Sequence, residues 1–199
     1  MDVAQTPIAA GPLLEIHQRA GATIETLDGW HCAVRYPQQP SAGDNALIDM
    51  SHNCTFELNG PNTGANLHSL CGKDIAPRNI HIQKTLQAYR LSSHRAILIG
   101  YLSAPEAVDV TGGWSSLALL GPNAEAILNK VTALDLRQET LPILGCCMGP
   151  MFGVNTLFGR FDDRFEMHIC PDSAQFIWEV LLDAGAEYSL KPAGLELLP

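Results

Sequence analysis

The chain has 199 residues and sets 12 Lys+Arg against 21 Asp+Glu, a formal charge of −9. That field repels nucleic acid and anionic lipid, and no local basic patch offsets it. With 46% hydrophobic and 17% charged residues the composition is globular rather than disordered, and the longest apolar stretch, Ala96–Leu102, falls far short of the roughly 20 residues of a spanning helix.

The opening MDVAQTPIAAGPLLEI carries no Lys or Arg before Arg19 and is broken by Pro and Gly, which makes a poor signal peptide and points to a cytoplasmic protein. Residues 11–20 read as a short helix ended by Gly21, followed by strands near 22–27 and 30–36. A strand opens at Ile48-Asp49-Met50-Ser51. Cys54, Phe56 and Leu58 then alternate with Thr55, Glu57 and Asn59, the period of a half-buried strand. Gly60-Pro61 stops that ladder and sets Pro61 at the first position of a helix carrying Leu67, Leu70 and Cys71 on one face. Strands at 84–91 and 95–102 flank a Ser92-Ser93-His94 turn. A second opening, Val108-Asp109-Val110-Thr111, leads to Leu117, Leu119 and Leu120, then Gly121-Pro122 and a helix lined by Ile127, Leu128 and Val131. Met151–Phe158 and Arg164–Cys170 read as a hairpin turning through Gly159–Asp163. The last helix is capped by Asp172, lined by Phe176, Ile177, Val180, Leu181 and Ala184, and ended by Gly185, with 186–199 as a tail.

An internal repeat organises these elements. Gly60-Pro61-Asn62 matches Gly121-Pro122-Asn123 at an offset of 61, and Ala65, Leu67, Leu70 and Asp74 meet Ala126, Leu128, Val131 and Asp135 in the same register. Asp49 and Asp109 differ by 60, so one inserted residue separates the halves. Strand–helix units used twice imply an α+β fold with pseudo-two-fold symmetry: one domain over 22–195 made of repeats at about 46–105 and 106–190, an N-terminal segment 1–21 and a tail 196–199.

Six cysteines, at 32, 54, 71, 146, 147 and 170, form no C-x-x-C and suit a reducing compartment with free thiols. His52/Cys54 and His168/Cys170 have the H-x-C spacing that, on strands, turns two ligands to one face, so a Cys2His2 zinc site is conceivable. Both lie in apolar-alternating runs, where Cys packs as a small hydrophobe, and no metal is expected.

Gly29-Trp30 with Val34-Arg35-Tyr36 resembles the G-W-x-x-x-V-x-Y opening of the glycine cleavage system T-protein (aminomethyltransferase) family. Asp49-Met50-Ser51-His52 resembles its D-V-S-H strand, while Leu58-Asn59-Gly60-Pro61 and Leu119-Leu120-Gly121-Pro122 resemble its two strand-to-helix G-P junctions. Arg164-Phe165-Glu166-Met167 is similar to the end of G-Y-T-G-E-x-G-F-E, and residues 178–195 to W-x-x-L-L-x-A-G-x-x-x-G-L-K-P-x-G-L. The resemblance runs in order over about 22–195. It implies a duplicated folate-binding domain whose reduced pterin is gripped by the glutamate that maps onto Glu166, since a carboxylate can take the pterin's N–H and NH2 edge bidentately. The implied tetrahydrofolate contacts are Glu166, Asp162, Arg164, Trp30 and Tyr36; no catalytic residue is assigned. Read from the strand alone, Glu166 is a solvated residue opposite Phe165, Met167 and Ile169.

The departures from the family are specific. Its N-x-D-G-G-x-x-D-D hairpin, with the aspartate that supports the chemistry, has no counterpart between Lys73 and Arg95. G-Y-T-G-E has become Phe158-Gly159-Arg160-Phe161-Asp162, Arg164 stands where the family has glycine, and the sequence ends at Pro199, before the A-R-D-x-x-R segment and the C-terminal barrel. In plan the chain is similar to the gamma subunit of heterotetrameric sarcosine oxidase. This implies an accessory or structural subunit of one-carbon or amine metabolism with an apolar face for a partner chain, as an oligomer or hetero-complex. The alternative is a tetrahydrofolate-dependent aminomethyl- or methyltransferase completed in trans. Gly145-Cys146-Cys147-Met148-Gly149 reads as a loop. A Cys–His hydrolase built from Cys146 or Cys147 with His168 or His94 is the weakest reading, and Trp30, Trp114 and Trp178 are core candidates before they are stacking platforms.

Overall fold

Short strands, several of them buried on both faces, build most of this molecule. The computed structural model describes residues 8–84, 86–101 and 103–198. The signal-peptide reading of residues 1–7 and the end of the tail at Pro199 lie outside them. In chain order come β1 (Ala9–Ala10), α1 (Leu14–Arg19), β2 (Thr23–Leu27), β3 (Trp30–Arg35), β4 (Ala46–Asp49), β5 (Thr55–Asn59), α2 (Thr63–Cys71), β6 (Asn79–Gln83), β7 (Leu86–Arg90), β8 (Arg95–Ile99) and β9 (Val108–Asp109). The second stretch holds β10 (Ser115–Leu120), α3 (Ala124–Leu128), β11 (Cys146–Met151), β12 (Val154–Arg160), β13 (Arg164–Ile169), α4 (Ala174–Gly185) and β14 (Lys191–Ala193). Among the described residues no helix is long and apolar enough to cross a membrane.

Three sheets form among the described residues: β1-β3-β2, β6-β7-β8-β5-β9 and β11-β12-β13-β10-β4-β14. The first closes through Asp28-Gly29, both at positive φ, the pair a two-residue hairpin turn requires. In the second, Leu58, Ala88, Ala96 and Leu98 pack on Leu67 and Cys71 of α2. In the third, Leu117, Leu119, Phe158, Phe165, Met167 and Ile169 pack on Ile127 and Leu128 of α3 and Ile177, Trp178 and Leu181 of α4. The opposite faces meet: Tyr89, Ile97 and Ile99 cluster with Cys146, Leu157 and Phe161. The order is therefore helix, sheet, sheet, helices, each apolar face covered by the next layer. Each large apolar side chain so buried contributes roughly 1.5–3 kcal/mol.

The two larger sheets exchange strands. β4 pairs with β10 and β9 with β5, both antiparallel. Met50 N–H donates to Ser116 O at 2.8 Å and Val110 N–H to Thr55 O at 2.9 Å. Ser116 N–H reaches Ser51 Oγ at 3.1 Å and Thr55 N–H reaches Thr111 Oγ1 at 3.0 Å. Asp49 and Asp109 each accept from the backbone two residues on, at 2.9 Å in both cases. Arg90 Nη1 donates to Ile75 O at 2.5 Å and Arg160 Nη1 to Leu136 O at 2.7 Å. Where the chain segments cross, Ile80 N–H donates to Leu144 O and Cys146 N–H to Arg78 O, with Arg78 and Leu144 at φ 65 and 61. Gly60 and Gly121 end β5 and β10 at φ 108 and 105, a region that only glycine enters cheaply. At Gly121 a Cβ would also fall 2.6 Å from the Asn45 Cα.

Several elements differ from the sequence expectations, for local reasons. Pro61 and Pro122 precede their helices, which begin at Thr63 and Ala124. A hairpin does lie between Lys73 and Arg95: β6 pairs with β7 from Asn79↔Arg90 to Gln83↔Leu86, though it carries no aspartate. Met151–Phe158 is not one strand. Phe152-Gly153 turn at φ 46 and 81, so Cys146 and Cys147 lie in β11 rather than in a loop. Phe176 faces solvent, 47% exposed, because Ala174, Ile177, Trp178 and Leu181 take the buried face of α4. Residues 191–193, expected in a tail, add a parallel strand beside β4.

Candidate functional site

Alternation along β13 sends Phe165, Met167 and Ile169 toward the helices and leaves Arg164, Glu166 and His168 for the opposite face. Across β10 their partners are Leu120, Ala118 and Ser116, and across β12 Glu166 sits beside Gly159. That glycine decides the geometry. A Cβ there would fall 2.6 Å from Tyr89 Cε1, so only the missing side chain lets Tyr89 cross from β7 to the carboxylate.

Glu166 is 1% exposed, which overturns the solvated reading of it. Tyr89 O–H donates to Oε2 at 2.7 Å; Arg164 Nε donates to Oε1 at 2.7 Å and Gln87 Nε2 to the same oxygen at 3.3 Å. Arg164 also reaches Asp163 at 2.9 Å and lies over the Phe161 ring, 4.5 Å from its centroid. Burial and the neighbouring carboxylate hold the Tyr89 phenol well above its ordinary range, so it stays a donor. Burial works against the Arg164 charge, but Glu166 outweighs it and raises that group. His168 is paired through Nδ1 with Ser116 Oγ at 2.8 Å, and burial lowers it to about 4 against the opposing pull of Glu166. Its Nε2 has no hydrogen-bond partner among the described residues and stands 3.9 Å from Glu166 Oε2.

The other expected contacts are dispersed. Asp162 is exposed in the β12–β13 turn and, with Arg160, Arg164, Gly121, Pro122 and Glu125, lines an open groove of about 440 Å³. Trp30 opens β3, half-buried, with its ring beside Gly112. Tyr36 belongs to a separate buried cluster: its hydroxyl is 2.5 Å from His17 Nδ1, and His17 Nε2 is 3.0 Å from Asp49 Oδ2. That cluster ties α1 to β4. Sequence reasoning missed Gln87 and Tyr89; the signal was their two-residue spacing on an apolar strand, which turns both polar ends to one face.

Neither Cys146 nor Cys147 is an activated nucleophile. Burial pushes Cys146 up to about 12 and raises Cys147 as well, so both stay thiols. Of the packed-thiol expectation, Cys170 departs by being exposed and Cys54 by being half-buried. His52 sits in the turn before β5, so its H-x-C is not on a strand.

A pterin edge needs both oxygens of its carboxylate, and here donors from this chain already satisfy them. The groove nearest the site is walled by Arg164, not by Glu166. As arranged, the residues do not fit the group.

The chain matches the family described as GCVT N-terminal domain over residues 81–198. It is 28% identical to an aminomethyltransferase of Desulfitobacterium hafniense (strain Y51), over 96% of this chain and 62% of that protein. To an aminomethyltransferase of Halothermothrix orenii it is 26% identical, over 92% and 61%. The chain thus spans about three fifths of the length of these curated relatives. Among solved structures it is similar to the glycine cleavage system aminomethyltransferase T from Bartonella henselae (TM-score 0.72, 20% identity, 96% of this chain and 60% of that one). It is also similar to a chain of the heterotetrameric sarcosine oxidase from Corynebacterium sp. U-96 (TM-score 0.69, 14% identity, 90% and 95%). At these identities the structural likeness is one of fold.

Proposed function

The chain belongs to the GCVT N-terminal domain family, and on that footing we propose that it is an accessory or structural subunit of an amine- or one-carbon-handling assembly, with Glu166 turned inward to hold the fold together. The observation that carries this reading is the carboxylate itself, 1% exposed and engaged by Tyr89, Arg164 and Gln87. The family's chemistry would need that group free and an acidic hairpin near the reacting nitrogen. The β6–β7 hairpin offers Gln83 and Lys84 at its tip instead. The likeness in fold to a chain of a heterotetrameric sarcosine oxidase supports a domain that works beside partner chains.

The same reading takes the fold as a duplication, with repeats at about 46–105 and 106–190 inside a domain over 22–195. The reciprocal pairings of β4 with β10 and β9 with β5, and the matched backbone bonds of Met50 and Val110, support it. On this reading two related halves face each other across a shared cleft, which Tyr89 and Glu166 fill from opposite sheets.

Calorimetric titration of the purified chain with tetrahydrofolate, beside size-exclusion measurement, tests the proposal. Absence of saturable heat is the expected result, and tight binding by a monomer would overturn it. One observation favours a second reading, a transferase completed in trans: Arg164 both bonds Glu166 and lines the open groove, so a single side-chain rotation would connect the two. In that case Arg164→Gly creates folate binding that the parent lacks.

A further inference from the structure

From the face where α4 meets the β11–β12 turn, we infer that this protein carries a docking groove for a basic, amphipathic segment of a partner protein. The groove, about 640 Å³, is lined by Lys130, Val131, Phe152, Phe176, Val180 and Ala184, with Glu179 and Asp183 on its rim. Phe152 and Phe176 stand edge to face at 6.3 Å, yet are 55% and 47% exposed. Two large aromatic rings side by side in water form an apolar patch of the kind that marks interaction sites.

Phe152 is also held at a conformational cost. It occupies the first position of a two-residue turn at φ 46, followed by Gly153 at φ 81, where asparagine or aspartate before glycine is the favoured choice. A bulky residue in the left-handed region is strained, and the strain leaves the ring standing on the surface.

Charge selects the occupant. Lys130, the cation of the lining, is already spent on Glu187, on Ala184 O and on the Tyr188 ring. Glu179 and Asp183, one turn apart on α4, have no ion-pair partner among the described residues; Glu179 accepts only from Gln175 Nε2, at 3.0 Å. The groove therefore combines apolar side chains with two carboxylates that have no ion-pair partner among the described residues, on a chain of charge −9. Nucleic acid and anionic membrane are repelled, and so is a second copy of the chain. Residues 1–7 bring no Lys or Arg. What fits is a helix or loop that inserts a leucine or aromatic side chain between the two Phe rings and sets Arg or Lys on the two carboxylates, the helix-in-groove mode of recognition.

The inference rests on the accessory-subunit reading only in making the partner a protein chain. Tetrahydrofolate titration tests that reading, and peptide mapping tests this one, so either can fail alone. The probe is a short helical peptide with Leu and Phe on one face and Arg flanking it, compared with a counterpart bearing Glu at each Arg. Anisotropy should show binding of the Arg peptide that weakens with salt, and amide shifts should cluster at Val131, Phe152, Phe176 and Val180. Phe152→Asn and Phe176→Ser should each cost about tenfold or more in affinity, and the pair Glu179→Gln with Asp183→Asn about three- to tenfold. Because Phe152→Asn suits the turn better than the native residue, its loss of binding cannot be charged to unfolding. Equal binding of the Glu peptide, or shifts mapping elsewhere, would overturn the proposal. So would sedimentation showing self-association that Phe176→Ser abolishes, which would make the face a contact between copies.

Discussion

Glu166→Gln separates a carboxylate that binds a ligand from one that holds the protein together. The substitution keeps the shape and removes the charge, but one of the two positions becomes an NH2 that must face either Arg164 Nε or Tyr89 O–H, both donors at 2.7 Å. Breaking one side of a fully buried ion pair costs about 3–5 kcal/mol. Arg164 is 18% exposed and keeps Asp163, so a figure below that range, about 2–3 kcal/mol, is the appropriate one here. For a chain of this size that is a fall of about 4–12 °C in Tm, measured by calorimetry or by urea titration at constant m-value. In the double variant Glu166→Gln, Arg164→Met the loss should be smaller than the sum of the single losses, because each single change strands the partner that the other removes. A Tm within about 1 °C of the parent would refute the argument. That result would mean the carboxylate is held ready for something outside the chain.

Other consequences are equally concrete. His168 is neutral when folded and lowered to about 4 from an ordinary 6.5, so the unfolded chain takes up its proton first. Stability should then fall as pH drops from 6.5 toward 4, by up to about 3 kcal/mol, with no contribution from this group above 6.5. His168→Gln should flatten the Tm profile in that window, and an unchanged profile would show that the histidine is solvated. Phe152→Asn should raise Tm by about 2–4 °C by relieving about 1 kcal/mol of left-handed strain, read by calorimetry; a lower Tm would contradict the turn assignment. Gly194→Ala drives a Cβ to 2.1 Å from the Val34 carbonyl, backbone against backbone. It should cost about 3 kcal/mol or more, visible as a collapsed urea midpoint.

How much of this could be read from residues alone depends on whether the determining contact was local. The strand at 55–59 came from period-two alternation, those at 95–99 and 164–169 from the turn signals beside them, and the 61-residue offset located the matching glycines that end β5 and β10. The β11–β12 register was misjudged because its turn is Phe152-Gly153, where a phenylalanine occupies a position that normally announces itself with asparagine. β14 was lost in an expected tail because three residues with a proline carry no periodicity; only pairing with β4 makes them a strand. The fate of Glu166 was illegible for a deeper reason. Two of its three donors come from β7, 77 and 79 residues away in sequence, and nothing near Phe165-Glu166-Met167 reveals that a second sheet covers that face.

That covering raises the question of why the charge persists. A buried Glu–Arg pair with a tyrosine and a glutamine around it is energetically no better than well-packed apolar residues of equal volume. What it supplies is register. On β7, Gln87 and Tyr89 face Glu166 while Leu86 and Ala88 face the α2 cluster. A slip of β7 by one residue would present Leu86 and Ala88 to the carboxylate and bury two polar side chains against α2, stranding donors and acceptor together. Apolar residues on both faces would tolerate the slip; this arrangement penalises it on both sides at once. The carboxylate that the family resemblance assigns to a pterin is thus placed to specify how one sheet lies on the other. Arg164, standing where the family resemblance has glycine, bonds that carboxylate and lines the neighbouring groove.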